Sequence, residues 1–174
     1  MKTLKSNHLA AAVALSLLTS AVTASADRTP TVPDALAVPD GNTVEFHAYA
    51  VGVQIYTWNA AAGKWVFVAP EAVLYDSDGN IVGMHYAGPT WETESGSKVV
   101  GVRLAGVTVD ATSIPWLLLS AKTAEGPGVL ARTTYVQRVN TAGGIAPSTA
   151  GTTDGQIARV PYIAEYYFYR AQGN

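Results

Sequence analysis

Apolar and polar residues alternate along most of the chain beyond residue 40. In residues 44–49, Val44, Phe46 and Ala48 fall on one face and His47 lies with its polar neighbours on the other, which is the period-two pattern of a half-buried strand. Similar chemistry predicts further strands at residues 53–58, 64–68, 72–75, 81–86, 98–105, 114–121, 129–140 and 161–170. No window beyond residue 26 has an apolar stripe at helical spacing, so the pattern predicts an all-β protein.

Glycine-containing turns separate the predicted strands. Residues 59–63 predict a hairpin loop, and Asp78-Gly79 supplies the positive φ that a tight turn needs. Short strands joined in this way are typical of a single antiparallel β-sandwich or β-barrel. We therefore divide the chain into a signal peptide at residues 1–26, an extended N-terminal arm at residues 27–40 and a single all-β domain at residues 41–174.

The first 26 residues have the features of an export signal. Lys2 and Lys5 give a basic start, an apolar run follows at residues 9–18, and small residues precede Asp27 in the spacing that signal peptidase accepts. We expect a mature chain of 148 residues that is secreted or periplasmic. No stretch reaches the roughly 20 apolar residues that a membrane-spanning helix needs, so we expect no membrane span.

Three segments bear on how the domain is built. Residues 114–119 are apolar on both faces, which predicts a strand that is central or covered. In the strand predicted at residues 129–140, Val139 falls on the apolar face and Arg138 on the polar one. Residues 141–156 are mostly small and long enough to be either mobile or a functional lid.

Composition and charge exclude several classes of function. The chain has no cysteine, so disulfides, a thiolate metal site and a lipid anchor on an N-terminal cysteine are excluded. Removal of residues 1–26 leaves nine basic against thirteen acidic residues, a net charge near −4. A basic footprint for nucleic acid or anionic lipid is absent, so we expect neither partner. The sequence predicts no cofactor and no metal, and it leaves the oligomeric state open.

Three short motifs resemble known sites but fit turns and strands better. Residues 76–80, DSDGN, resemble the start of a calcium loop, but the glycine comes too early and Ala87 stands in place of the closing glutamate. Residues 95–98, SGSK, match a serine–lysine motif that opens a helix, yet a strand follows here. Residues 126–131, GPGVLA, match a dinucleotide-binding pattern, but the continuation favours a strand over the required helix.

Candidate chemistry concentrates around HYAGPTWE, residues 85–92. Its Gly-Pro pair predicts a chain reversal, and its flanks make it the best single candidate for a site. His47 and His85 are the histidines of the mature chain. If their strands are neighbours, the two imidazoles with Glu45 and Glu92 could form a non-haem metal site. The alternative, which we favour, is that both are hydrogen-bonded structural residues.

The four tryptophans and nine tyrosines suggest either a ligand pocket or a packed core. Aromatic rings commonly line small-molecule sites, but they also fill all-β cores. Trp91 follows Gly88-Pro89, where a strand leaves the sheet. We therefore expect it to be either a rim residue that stacks on a ligand or a plug that closes one end of a barrel.

The leading hypothesis is a module that binds a small molecule or glycan in an aromatic-lined pocket near one end of the sheet. Its candidate residues are Trp91 for stacking, His47, His85 and Tyr49 for hydrogen bonding, and Glu92 and Arg103 for charge. One alternative is a secreted hydrolase or metal-dependent enzyme that uses His47 and His85. Another is a structural envelope or matrix protein that self-associates through an uncovered strand edge. The sequence leaves open whether the protein is an enzyme.

Four segments carry a resemblance to a known family: FHAYAVGVQIYTW from Phe46, APEAVLYDSDGNIVGMHYAGPTWE from Ala69, GPGVLARTTYVQRVNTAGGIAP from Gly126 and ARVPYIAEYYFYR from Ala158. The chain resembles a family of exported bacterial and fungal proteins catalogued as a domain of unknown function. The resemblance spans nearly the whole mature chain and implies no established reaction.

Some fungal members of that group carry a malate dehydrogenase label, which the residues here do not support. A chain of 148 residues cannot hold a nucleotide domain and a substrate domain, and its one glycine match is in the wrong context. An exported protein would also lack a supply of NAD. We therefore reject that label.

Overall fold

Strands make up most of the computed structural model, which describes residues 29–173. The signal peptide predicted at residues 1–26 lies outside the described residues. In chain order the elements are a 3₁₀ turn at Asp34–Leu36, β1 (Asn42–Asn59), β2 (Lys64–Tyr75), β3 (Ile81–Tyr86), β4 (Thr90–Thr93), β5 (Lys98–Val107), β6 (Trp116–Glu125), β7 (Thr133–Gly143) and β8 (Ile157–Ala171). Within residues 29–173, no helix has the length and apolar character needed to cross a membrane.

The eight strands form one antiparallel sheet that closes into a barrel. Each strand pairs with its neighbours in sequence, and β1 also pairs with β8 from Asn42 opposite Ala171 to Thr57 opposite Ile157. The all-β prediction is confirmed, and of the two predicted architectures the protein adopts the barrel. Every strand of the described chain has a neighbour on both sides, so self-association through an uncovered strand edge has no structural basis here.

The predicted strands are correct in position but differ in extent. Strand β1 continues through Gly52, and β2 joins two predicted strands through Pro70. A Cβ on Gly52 would lie 2.1 Å from the backbone oxygen of Glu71, so glycine permits the close approach of β1 and β2. Strand β7 begins at Thr133 and not at residue 129, because the preceding residues form the turn from β6.

Inward-facing side chains pack tightly at the end of the barrel where β1 begins and β8 ends. This cluster includes Ala48, Leu74, Val99, Leu130, Val136 and Phe168, all of which are buried. Leu130 comes from the turn between β6 and β7 and is fully buried. Because burial of one such large apolar side chain contributes about 1.5–3 kcal/mol, this end supplies much of the stability.

The N-terminal arm covers part of the outer face of the barrel. Leu36 is fully buried, and the backbone oxygen of Leu36 accepts a hydrogen bond of 2.6 Å from Nε2 of Gln137. The Oε1 atom of Gln137 accepts a second bond of 2.6 Å from the hydroxyl of Tyr169. A second buried cluster lies beneath the arm, formed by Val44, Val139, Tyr167 and Tyr169 with Val32 and Val38 packed against it.

Burial on both faces bears on two predictions about orientation. Val44 was expected beside Phe46 and Ala48, but a bulge between Val44 and Phe46 places Val44 in the outer cluster. The sequence placed Val139 on the apolar face of its strand and Arg138 on the polar face. The structure shows that the apolar face is the outer one, so Val139 points outward under the arm and Arg138 points into the barrel. The apolar character of residues 114–119 on both faces has the same cause, since this strand contacts the arm outside and the core inside.

The segment predicted as a mobile stretch or lid is tied to the barrel. Its first residues belong to β7, and residues 144–156 connect β7 to β8. The indole Nε1 of Trp65 donates to the backbone oxygen of Thr149 over 2.9 Å. The backbone of Trp58 pairs with Gly155 and Gln156 over 2.9 and 2.8 Å. The connection therefore packs against the hairpin of β1 and β2.

Candidate ligand-binding site

A cavity of about 580 Å³ lies inside the barrel, at the end where the β1–β2, β3–β4, β5–β6 and β7–β8 connections meet. Its volume falls within the roughly 300–1,000 Å³ that small-molecule sites occupy. Its floor is formed by the buried residues Gln54, His85, Trp91, Leu119 and Tyr166. Its mouth is marked by the exposed residues Phe67, Val68, Gly88 and Arg103. The lining is mostly apolar and aromatic, with a few polar groups.

His85 and Trp91 form the centre of the floor. They are directly opposite each other in the pairing of β3 with β4. Their rings stack with centroids 4.4 Å apart and an interplanar angle of 8°. The ring of Tyr166 meets both edge-on, at 5.0 Å from His85 and 5.3 Å from Trp91.

The short reversal at Gly88-Pro89 brings these two residues together. Gly88 has a φ of 117°, a conformation that favours glycine, and the hydroxyl of Thr90 donates to the backbone oxygen of Ala87 over 2.9 Å. The reversal places the two arms of HYAGPTWE side by side, so that His85 and Trp91 both face inward. The segment is therefore a turn and also part of the cavity.

His85 is neutral and has a defined tautomer. Burial lowers the pKa of His85 to about 3, and the hydrogen bond to Thr90 opposes this effect only in part. The Nδ1 atom lies 2.8 Å from the backbone oxygen of Thr90, which can only accept, so Nδ1 donates. The Nε2 atom therefore carries the lone pair, and it forms no hydrogen bond within residues 29–173.

Two arginines also contribute to the cavity. Arg138 is half-buried, and its Nε and Nη2 donate to the backbone oxygen of Pro115 over 3.1 and 2.8 Å. Arg103 lies at the mouth and is exposed. Both are opposite apolar residues of β6, since Arg103 pairs with Leu119 and Arg138 with Leu117.

Two buried hydrogen-bond donors of the lining lack partners. The indole Nε1 of Trp91 and the amide Nε2 of Gln54 are inaccessible to solvent and bond to no atom of the described chain. Leaving such a group unsatisfied costs about 1–3 kcal/mol. Water reaches neither atom, so a ligand could accept from them only after neighbouring side chains move.

The structure places half of the predicted site residues at the cavity and half on the outer face. His85, Trp91 and Arg103 line the cavity. Trp91 is 1% exposed, so it is a buried floor residue and not a rim residue. His47, Tyr49 and Glu92 lie outside the barrel wall.

The three outer residues belong to two polar clusters. His47 stacks on Tyr167 with centroids 4.1 Å apart, Tyr49 contacts His47 at 4.7 Å, and Nε2 of His47 lies 3.0 Å from Oε2 of Glu165. On another part of the wall, the hydroxyl of Tyr86 donates to Glu92 over 2.5 Å. These residues therefore pair with each other and do not reach the cavity.

The convergence of His47 and His85 considered from the sequence does not occur. Strand β2 separates β1 from β3, and the two rings lie on opposite faces of the wall. Within residues 29–173, no group of three or more His, Asp or Glu side chains is placed to hold a metal ion. The geometry therefore offers no shared metal or acid–base site for the two histidines.

Sequence reasoning missed Gln54, Arg138 and Tyr166. Arg138 was assigned to the polar face of its strand and not proposed as a site residue, because alternation shows which residues share a face but not which face is inner. Tyr166 was part of a tyrosine-rich strand with aromatic rings on both faces. One signal in the sequence could have revealed these residues. Both faces of β6 and β8 are apolar, which indicates that another segment of the chain covers the outside of the barrel.

The rejected motifs have the local structures predicted for them. Asp76 organises the turn from β2 to β3 by accepting bonds from the backbone of Asp78 and Asn80 over 2.9 and 2.8 Å. The glycine pair Gly126 and Gly128 lies in the turn between β6 and β7, with no helix after it. That turn packs on the turn between β4 and β5, so it offers no helix N-terminus for a pyrophosphate.

Comparison with known proteins gives one match to a family. A family model described as a protein of unknown function (DUF3455) matches residues 39–170. No curated protein and no solved structure matches the chain. The matched residues cover nearly all of the eight strands and well over half of the chain. The chain therefore belongs to this DUF3455 family of proteins of unknown function.

Proposed function

We propose that the protein binds a small organic molecule in the cavity at the open end of the barrel. The cavity carries the proposal because it combines a volume of about 580 Å³ with aromatic and aliphatic walls and a few convergent polar groups. This is the usual composition of small-molecule sites. The cavity is built directly on the core, since its lining residues Trp91, Leu119 and Tyr166 belong to the same buried cluster as the packed end.

The polar groups of the floor are suited to recognising a ligand. His85 is neutral and offers Nε2 as an acceptor, while Arg138 offers N–H groups beyond the two that bond to Pro115. A buried site with unpaired polar groups discriminates strongly, because a ligand that fails to bond them leaves them unsatisfied. The pattern supports selective binding more than nonspecific uptake of apolar molecules.

Stacking of a sugar on Trp91 has less support than binding of another small organic molecule. His85 already covers one face of the indole, and Tyr166 and Phe168 meet it edge-on at 5.3 and 5.9 Å. A sugar ring would therefore have to use the exposed aromatic residue at the mouth, Phe67. We place the binding outside the cytoplasm, on the strength of the signal peptide predicted at residues 1–26.

Native mass spectrometry of the protein from its own host tests the proposal. Leu117→Trp adds a large ring to the cavity, whereas Leu104→Trp adds the same ring at a position that is 55% exposed. We expect a bound small molecule with the wild type and with Leu104→Trp, and none with Leu117→Trp. Melting curves establish that both variants are folded.

The proposal is contradicted if two results are obtained together. The first is that no small molecule accompanies the wild-type protein. The second is that, in a library screen, no compound raises the melting temperature of the wild type more than that of Leu117→Trp.

A further inference from the structure

The cavity contains two guanidinium groups and no carboxylate. Arg103 and Arg138 line it, and no Asp or Glu does. Within residues 29–173, neither arginine has an ion-pair partner. This is not a result of general basicity, because the mature chain predicted from the sequence is acidic, with a net charge near −4. A half-buried cation without a partner is costly, and no residue of the cavity supplies a negative group to pair with it.

Arg138 is fixed in position, and its positive charge affects the ionisable groups of the floor. Its two bonds to the backbone oxygen of Pro115 orient the guanidinium but do not neutralise it. Burial raises the pKa of Tyr56 and of Tyr166 and lowers the pKa of His85. The positive charge of Arg138 lowers the pKa of all three groups. These neighbours are therefore neutral near pH 7, and the positive charge of Arg138 is uncompensated.

Arg103 is held close to the same part of the wall by a glycine. A Cβ on Gly106 would lie 2.5 Å from Nη2 of Arg103 and 2.8 Å from Cδ2 of Leu117. The guanidinium of Arg103 thus occupies the space that a side chain at Gly106 would need. Leu117 is the register partner of both Gly106 and Arg138, so both arginines neighbour Leu117.

The two guanidinium groups have N–H donors that no carboxylate of the cavity takes up. Arg138 has further N–H groups beyond the two that bond to the backbone oxygen of Pro115, and Arg103 forms no ion pair within residues 29–173. The Nε2 atom of His85 is an acceptor in the same lining. Two such guanidinium groups match a ligand that brings acceptor oxygens.

We infer that the ligand is a small organic anion, with an apolar body against Leu117, Leu119 and Phe67 and an oxyanion that accepts hydrogen bonds from Arg138 and Arg103. The oxyanion is a carboxylate or a chemically similar sulfonate or phosphate, because guanidinium groups bind all of these through paired N–H donors. This inference rests on the proposed function, since it identifies the class of molecule that the cavity binds.

A matched pair of fluorescent dyes tests the charge preference. Anilinonaphthalene sulfonate is an anion, and N-phenylnaphthylamine has the same ring system without the sulfonate. We expect the wild-type protein at pH 7 and physiological ionic strength to bind the anion at least about tenfold more tightly, as a charge-assisted hydrogen bond allows. Displacement of the anion by benzoate or by phenyl phosphate then distinguishes a carboxylate from a phosphate as the preferred oxyanion.

Three variants test which arginines cause the preference for the anionic dye. We expect Arg138→Gln and Arg103→Gln each to weaken the anionic dye about tenfold and to leave the neutral dye within about twofold. Arg132→Gln is the matched control, because it removes the same charge from an exposed turn at the other end of the barrel, and it should change neither affinity. Arg103 is exposed, so its variant stays informative if Arg138→Gln does not fold.

The outcomes separate this inference from the proposed function. Equal affinity of the two dyes overturns the anion preference and leaves the binding cavity in place. The inference is also overturned if the anionic dye binds tightly and neither Arg138→Gln nor Arg103→Gln changes its affinity, since the anion then binds elsewhere. Failure of a folded wild-type protein to bind either dye overturns this inference, whereas the native mass spectrum and the library screen decide the proposed function.

Discussion

Acidification should destabilise the protein through His85. In the folded state burial lowers the pKa of His85 to about 3. In the unfolded chain the pKa of a histidine is about 6.5. Below pH 6.5 the unfolded chain therefore binds a proton that the folded protein excludes, and the free energy of unfolding falls with pH. The loss continues until the pH approaches the folded pKa, where both states are protonated.

The size of this effect follows from the two pKa values. Each pH unit below 6.5 removes about 1.4 kcal/mol, so the free energy of unfolding should be about 2 kcal/mol lower at pH 5 than at pH 7.5. A domain is typically stable by about 5–15 kcal/mol, so this loss is between roughly one seventh and two fifths of the total. Hydrogen bonds lower the pKa of Asp76 and of Asp110, but these carboxylates titrate below the ordinary aspartate pKa of about 4. The interval from pH 5 to pH 6.5 therefore excludes these two carboxylates, and a variant of His47 tests the other histidine.

Urea unfolding at several pH values between 5 and 7.5 measures the effect. His85→Phe keeps an aromatic ring against Trp91 and removes the titrating group. It should be less stable at pH 7.5, because the backbone oxygen of Thr90 loses its donor, but the loss of stability between pH 6.5 and 5 should disappear. His47→Gln is the control, since it removes the partly exposed histidine outside the barrel and should keep the pH dependence. The same pH dependence in His85→Phe as in the wild type would refute the reasoning.

Substitutions at four further positions test the packing. Trp91→Ala should lower the free energy of unfolding by about 3–5 kcal/mol in urea titrations, because it empties the buried floor, and Trp91→Phe should cost clearly less. Gly83→Ala should lower the melting temperature, at a cost of about 1–3 kcal/mol or more, because its Cβ would lie 2.2 Å from a backbone oxygen. Gly106→Ala meets a flexible arginine instead, so it should cost less stability but weaken the anionic dye in fluorescence titrations. Leu36→Ala should cost about 2–4 kcal/mol and expose the arm to limited proteolysis, unlike Ala35→Ser at the exposed neighbouring position.

Local sequence patterns predicted every strand except the short β4 (Thr90–Thr93), but they did not predict the closure of the sheet. Alternation in residues 44–49 and the Asp78-Gly79 turn depend on neighbouring residues, so a single sequence carries them. The pairing of β1 with β8 joins residues more than 100 positions apart, such as Val51 with Ile163. No local pattern specifies such a contact, so sandwich and barrel could not be distinguished.

The candidate site could be predicted only in part, because only some of its residues are close together in the sequence. Residue types near the Gly-Pro reversal indicated His85 and Trp91, which the turn places side by side. His47 and Glu92 have equally suitable chemistry, but they lie on the outer face. Arg138 was missed because the arm covers the outer face of its strand, so the apolar side of that strand is outside and the charged side is inside. An unpaired arginine inside a barrel departs from ordinary patterning, as functional sites often do.

The charge of the cavity supports binding over imperfect packing as the explanation of the cavity. Within residues 29–173, four buried side-chain nitrogen or oxygen atoms lack a hydrogen-bond partner: two belong to the cavity residues Gln54 and Trp91, and two, on Thr133 and Arg170, lie outside the cavity. Unpaired buried atoms are therefore not confined to the cavity, and they do not decide between the two explanations. A packing defect would leave an apolar void, whereas this cavity holds two guanidinium groups and no carboxylate, which a ligand with acceptor oxygens would satisfy together.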